Sequence, residues 1–170
     1  MSTSKKAAAA PPPERFLIFL RHGIAEDPSP DKKDEDRGLT AEGHAKMKQI
    51  ARGLTAVLPK AQAIYSSPLL RAVQTALWVS KGYRSRANVN TVDALKPDAS
   101  KKEFLALLKS IEERRVVLVG HEPSLTKHVG ALVGVNVPEL KKGGCYGVRI
   151  DPDGKATLEW MLTPRILRKL

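Results

Sequence analysis

Three short segments carry side chains that could do chemistry together. The apolar run Phe16-Leu17-Ile18-Phe19-Leu20 ends in Arg21-His22-Gly23. A second apolar run, Val116-Val117-Leu118-Val119-Gly120, ends in His121-Glu122-Pro123. Between them, Ser66-Ser67-Pro68-Leu69-Leu70-Arg71-Ala72 sets an arginine just inside a predicted helix. A neutral His22 can attack phosphorus and form a phosphohistidine. Arg21 can hold a phosphoryl oxygen by a forked, charge-assisted pair. Helix-start N–H groups near Arg71 also favour anions. His121 can donate to a phosphoryl oxygen as charge develops. Gly23 allows a tight turn and close backbone approach. Taken singly, each residue has an ordinary structural reading: an ion-paired arginine, a strand-capping histidine, an exposed helical arginine, a loop histidine. His44 and His128 fall within helical segments and read as structural or surface residues, with a rim position open to His128.

The elements expected to position these residues alternate. Phe16–Leu20 has strand length and is apolar throughout, as in a strand covered on both faces. Glu26 to Arg37 is a charged loop, read first as a solvated face and second as a substrate flap. Thr40 can cap a helix, whose inner face is Met47, Ile50, Ala51, Leu54 and Leu58; Pro59 ends it. Ala61 to Ser66 is a short strand. Ser67-Pro68 reads as an N-cap and first helical residue, with Leu69, Val73, Ala76 and Leu77 facing inward and Gly82 as the stop. Asn88 to Val92 is another strand. Ser100 and Glu103 can form a capping box, with Phe104, Leu107, Leu108 and Ile111 buried behind it. Arg115 to Val119 is a central strand, followed by a helix bearing Leu125, Val129, Leu132 and Val133. Tyr146 to Ile150 and Ala156 to Trp160 flank the turn Asp151-Pro152-Asp153-Gly154 and can form an edge hairpin. The expectation is a single-domain, three-layer α/β/α sandwich with a mostly parallel central sheet and a late hairpin. Ligands on such sheets bind beyond the carboxyl ends of strands, where Arg21-His22 and His121 fall.

Composition narrows the function classes. The 170 residues are 42% hydrophobic, which fits one domain with a real core. Residues 1–13, with Lys5-Lys6, four alanines and three prolines, read as a flexible tail, and the fold is expected from Glu14 onward. No apolar run approaches the roughly 20 residues that span a membrane, and the N-terminus has no secretory signal. The lone cysteine, Cys145, excludes an internal disulfide framework and points to a reducing cytoplasm. The formal charge of +11 is dispersed, and aromatics are only 5%. That argues for steering of phosphorylated substrates over nucleic-acid binding.

The chain resembles the histidine phosphatase superfamily, also called phosphoglycerate-mutase-like, and within it the small SixA-like branch of phosphohistidine phosphatases. The resemblance rests on Leu20 to Gly23, Leu39-Thr40-Ala41-Glu42-Gly43, Ser66 to Ala76, and Val119 to Pro123, in family order. It implies a histidine phosphatase domain over 14–170, with His22 as nucleophile and Arg21, Arg71 and His121 around the phosphoryl group. It implies no metal and no cofactor. It also implies two steps, a phosphoenzyme and then its hydrolysis by water. Larger members use an acid between the two signature halves; Asp93 and Asp98 are the candidates here, and Glu26 is a further rim acid. Arg37-Gly38-Leu39-Thr40 departs from the branch's Arg-Pro-Leu-Thr.

A short chain leaves little room for a cap. An open site suits a protein carrying phosphohistidine and also admits small phosphate esters. A mutase, which must retain its intermediate, fits less well. A small-molecule phosphomonoester phosphatase and a non-catalytic phosphate- or phosphoprotein-binding module are the alternatives.

Overall fold

A computed structural model describes residues 12–84 and 88–170. The expected tail falls largely on residues 1–11, outside the described residues; Pro12 and Pro13 are exposed and lead into the first strand. The strands are β1 (Arg15–Arg21), β2 (Ala63–Ser66), β3 (Val89–Thr91), β4 (Arg115–Gly120), β5 (Cys145–Ile150) and β6 (Ala156–Leu162). The α-helices are α1 (Ala41–Val57), α2 (Leu70–Gly82), α3 (Lys101–Ser110), α4 (Ser124–Val133) and the short α5 (Pro164–Leu167). The six strands form one sheet in the order β3-β2-β4-β1-β5-β6. Neighbours from β3 to β1 pair in parallel, and β5 pairs antiparallel with both β1 and β6.

The continuous apolar runs serve two cores. Side chains alternate across a strand, so Leu17, Phe19, Val116 and Leu118 pack with Phe104, Leu107, Leu125 and Val129 of α3 and α4. Ile18, Leu20, Val117 and Val119 pack the other way, onto Met47, Ile50, Leu54, Ala76 and Val79 of α1 and α2. This is the three-layer sandwich expected from the sequence. The hairpin is present too, with β5 starting one residue earlier and β6 ending two later than the sequence pattern suggests.

The expected caps of α1 and α3 form. Thr40 Oγ1 accepts from Gly43 N at 3.0 Å, and Ser100 and Glu103 complete a capping box. The start of α2 differs from expectation. It begins at Leu70, without a side-chain cap. The Ser67 hydroxyl instead lies 2.8 Å from a histidine ring nitrogen, and Pro68 precedes the helix. Leu77 is exposed, while Arg71, Ala72, Thr75, Ala76 and Val79 are buried. The helix is rotated from the purely apolar stripe because Arg71 and Thr75 also face inward.

Two glycines set the backbone near the strand ends. A Cβ on Gly43 would stand 2.0 Å from the Ile24 carbonyl oxygen, so α1 can approach that loop only with glycine there. Gly143, at φ +81°, turns its N–H onto the Arg21 and His22 carbonyls at 3.2 and 3.1 Å. Gly43→Ala is expected to cost about 1–3 kcal/mol by overpacking, measured by urea unfolding; wild-type stability in that variant would contradict the close approach.

Candidate active site

Strand register brings the two histidines together. β1 and β4 are parallel neighbours, with Arg21 opposite Gly120. The residues that follow, His22 and His121, therefore leave the sheet side by side at its carboxyl edge. Their ring centroids are 5.1 Å apart. β2 lies on the far side of β4, with Ser66 opposite Val119. Ser67 thus emerges next to His121, and its Oγ is 2.8 Å from His121 Nε2. Arg71 enters from the first turn of α2.

Each ring has a defined orientation. His22 Nδ1 is 2.7 Å from the Gly23 carbonyl oxygen. That acceptor requires a proton on Nδ1, which leaves Nε2 with its lone pair. Gly23 is held in turn: its N–H donates to Thr75 Oγ1 at 3.0 Å, and the Thr75 hydroxyl donates to the Arg71 carbonyl at 2.7 Å. Burial, more than any other influence, lowers His22 from 6.5 to about 4; Arg71, Arg21 and Lys142 push the same way and the Gly23 bond opposes them. His121 falls to about 3, again through burial first and then through His22 and Arg71. Both rings are therefore neutral near pH 7. A neutral His22 with a free Nε2 can act as a nucleophile.

The two arginines share a pattern. Arg21 Nη1 donates to the Leu140 carbonyl and approaches Glu139 Oε1 at 3.4 Å. Arg71 Nη1 donates to the Asp34 carbonyl at 2.8 Å, and its Nη2 to Asp34 Oδ2 at 3.0 Å. Among the described residues, four buried side-chain nitrogens or oxygens have no hydrogen-bond partner, and three belong here: Arg21 Nε, Arg71 Nε and His121 Nδ1. Buried donors without acceptors are costly in isolation. The residues that carry these three nitrogens all line one cavity, an arrangement that can receive an oxyanion. That cavity has a volume of about 350 Å³, and Arg21, His22, Arg71, His121, Arg37 and Lys142 supply its nitrogen-bearing walls. Among the described residues, no group of three or more His, Cys, Asp or Glu side chains could hold a metal ion.

The structure does not bring the three candidate acids to this cavity. Glu26 Oε2 accepts from Lys32 Nζ at 2.8 Å and Gly38 N at 2.9 Å, which stitches its own loop together. Asp93 pairs with Lys96 at 2.9 Å, and Asp98 is exposed. The carboxylates that line the cavity are Asp27, Asp34 and Glu122. Glu122 accepts from Thr126 N and Leu140 N, both at 3.1 Å, and fixes the turn after β4. Burial acts to raise the Asp34 carboxyl, but hydrogen bonds from Arg37 and Arg71 outweigh it and hold it below the usual range. His44 accepts from Trp78 Nε1 at 3.0 Å, while His128 stacks on Phe104 and bonds the Ala99 carbonyl. Neither lines the cavity.

Sequence reasoning missed Asp34, Lys142 and the Ser67–His121 contact. Asp34 had a signal, since it lies in the charged loop read as a flap. Ser67 was read as a helix cap, and only the strand register gives its partner.

A family model, the histidine phosphatase superfamily (branch 1), matches residues 17–96, a span that includes Arg21, His22 and Arg71. An uncharacterized protein of Picosynechococcus is 35% identical over 139 residues, covering 78% of this chain and 84% of the relative. The protein histidine phosphatase SixA complexed with tungstate superposes with a TM-score of 0.81 at 24% identity, covering 89% of this chain and 99% of that one. SixA from Agrobacterium tumefaciens gives 0.76, also at 24% identity, covering 88% and 98%. At these identities the two structures speak to the fold. Among the described residues, no helix is long and apolar enough to cross a membrane.

The two depressed histidines make a pH prediction. The unfolded chain, with histidines near 6.5, binds more protons than the folded one between about pH 3–4 and 6.5. The stabilisation from the neutral pair is therefore full above about pH 6.5 and declines as pH falls toward 4. Ring NMR signals of His22 and His121 are expected to report neutral imidazoles at about pH 5.5; charged rings there would contradict the burial argument.

Proposed function

This chain belongs to the histidine phosphatase superfamily, and from that premise we propose that it is a metal-independent phosphatase working through a phosphohistidine on His22. The single observation that carries the reading is the fixed, neutral His22 ring. Its Nδ1 is bound to the Gly23 carbonyl, and Arg21, Arg71 and His121, each with one unpartnered buried nitrogen, line the same cavity. In the first step the His22 Nε2 lone pair attacks phosphorus. The bond from phosphorus to the leaving group breaks, and the leaving group departs with its electron pair and takes up a proton from solvent. Arg21, Arg71 and His121 donate to the phosphoryl oxygens as charge shifts onto them. In the second step water attacks phosphorus and the P–Nε2 bond breaks. Inorganic phosphate leaves, and His22 regains its lone pair.

The proposed substrate is phosphohistidine on a protein. Imidazole is a leaving group of low proton demand, whereas an alkoxide from an ester needs a stronger acid at hand. Of the three lining carboxylates, Asp34 is tied to two arginines and Glu122 to two backbone N–H groups, which leaves only the exposed Asp27 at the rim. The likeness in fold to SixA, a protein histidine phosphatase, supports the same choice. A phosphorylated protein is the partner in this reading, with no role for nucleic acid, and the expected home is the cytoplasm.

The test is steady-state hydrolysis of a phosphohistidine protein, a phosphohistidine peptide and a panel of phosphate esters. His22→Ala is expected to abolish turnover of all of them while leaving the fold intact. Arg71→Ala should lose about 10²–10³ in kcat/KM, as when one donor to a developing oxyanion is removed, and His121→Ala should lower kcat with little change in stability. Preference for an ester would move the function to small phosphomonoesters. Near-wild-type rates in all three variants would overturn the site itself.

A further inference from the structure

We propose that Asp34 is an affinity-limiting residue of the phosphoryl pocket, a carboxylate that opposes the oxyanion at Arg71 and keeps inorganic phosphate from being held too tightly. The inference rests on the reading of Arg71 as a phosphoryl ligand. Arg71 is nearly sealed from solvent, with its side chain only 5% exposed, whereas that of Asp34 is 60% exposed. The acid therefore reaches in from a surface turn to meet a buried cation. It takes both terminal nitrogens of the guanidinium, one on its carbonyl at 2.8 Å and one on its carboxylate at 3.0 Å. Only Arg71 Nε remains without a partner.

The carboxylate is also anchored from behind. Asp34 Oδ1 accepts from Arg37 Nε at 2.9 Å and Nη2 at 2.7 Å. Arg37 in turn donates to the Glu26 carbonyl. Asp34 is thus a fixed negative charge in the cavity wall, beside the one arginine that α2 supplies.

The consequence is electrostatic. Arg21, Arg37, Arg71 and Lys142 line one small cavity with the two histidines. Asp27 and Glu122 line the cavity too, but of these three carboxylates only Asp34 pairs with a lining cation among the described residues; without that pairing a dianion would bind more firmly, and phosphate is both part of the substrate and the released product. A carboxylate in direct contact with Arg71 offsets one of those charges and repels a dianion a few ångströms away. Arg71 itself stays in place without the carboxylate, because it is buried and keeps its bond to the Asp34 main chain.

Asp34→Asn and Asp34→Ala test this by calorimetric titration of the full chain with tungstate and with inorganic phosphate. Asp36→Asn serves as control: it makes the same change in formal charge on the same turn but does not line the cavity. Both Asp34 variants are expected to bind either anion about 3- to 10-fold more tightly than wild type, with Asp36→Asn near wild type. In turnover, product inhibition by phosphate should strengthen by the same factor. Unchanged or weaker binding in the Asp34 variants would overturn the proposal and leave Asp34 a positioning residue. Equal tightening in Asp36→Asn would overturn it in favour of diffuse charge. A wild type that binds neither anion would overturn the phosphoryl-site reading along with it.

Discussion

The parallel pairing of β1 with β4 is the constraint on which the site depends. Neither histidine has a sequence neighbour that could bring it to the other; His22 and His121 are 99 positions apart, and only the ladder closes that gap. With Arg21 opposite Gly120, the next residue on each strand clears the sheet at the same level. A slip of one residue would reverse the facing of every side chain on β1. It would then exchange the two cores, sending Leu17 and Phe19 toward α1 and α2, where Ile18 and Leu20 now pack. The two hydrophobic cores therefore hold the register, and the register holds the imidazole pair.

Once the strand ends are fixed, burial does the chemical tuning. Both imidazoles are buried, and burial holds them neutral near pH 7 although 6.5 is their ordinary value. The buried Arg71 and the partly buried Arg21 next to them reinforce the effect, because a second positive charge is disfavoured there. The same arginines keep their Nε groups unpaired in the protein. Neutral rings beside arginines that each keep one buried nitrogen unpaired are what the proposed anion site would need. The Gly23–Thr75–Arg71 chain links the orientation of the His22 ring to the helix that carries the second arginine.

Much of this was legible in the sequence, for physical reasons that differ by element. The runs at 16–20 and 116–119 read as doubly covered strands because their residues are apolar without alternation, and each serves two cores. Thr40 and the Ser100–Glu103 pair read as caps because their hydrogen bonds are local. Arg21, His22, Arg71 and His121 could be grouped because three of them follow strand ends or a helix start. What escaped was non-local. Ser67 looked like a cap, and its partner His121 is 54 residues away. Asp34 was one of several acids in a charged loop, and nothing in its neighbourhood marks it as the one that reaches Arg71. The acids Asp93, Asp98 and Glu26 were chosen by place in the chain, but their charges meet local lysines and backbone, or solvent, instead of the cavity.

In the proposed reaction the Gly23 carbonyl holds the proton on His22 Nδ1 and so commits Nε2 to phosphorus. The most direct measurement is to quench the enzyme during turnover of a phosphohistidine substrate, locate the modified residue by mass spectrometry, and identify the phosphorylated ring nitrogen by NMR. The account predicts an acid-labile phosphate on His22, attached at Nε2. Phosphate on Nδ1, or on any other residue, would contradict it.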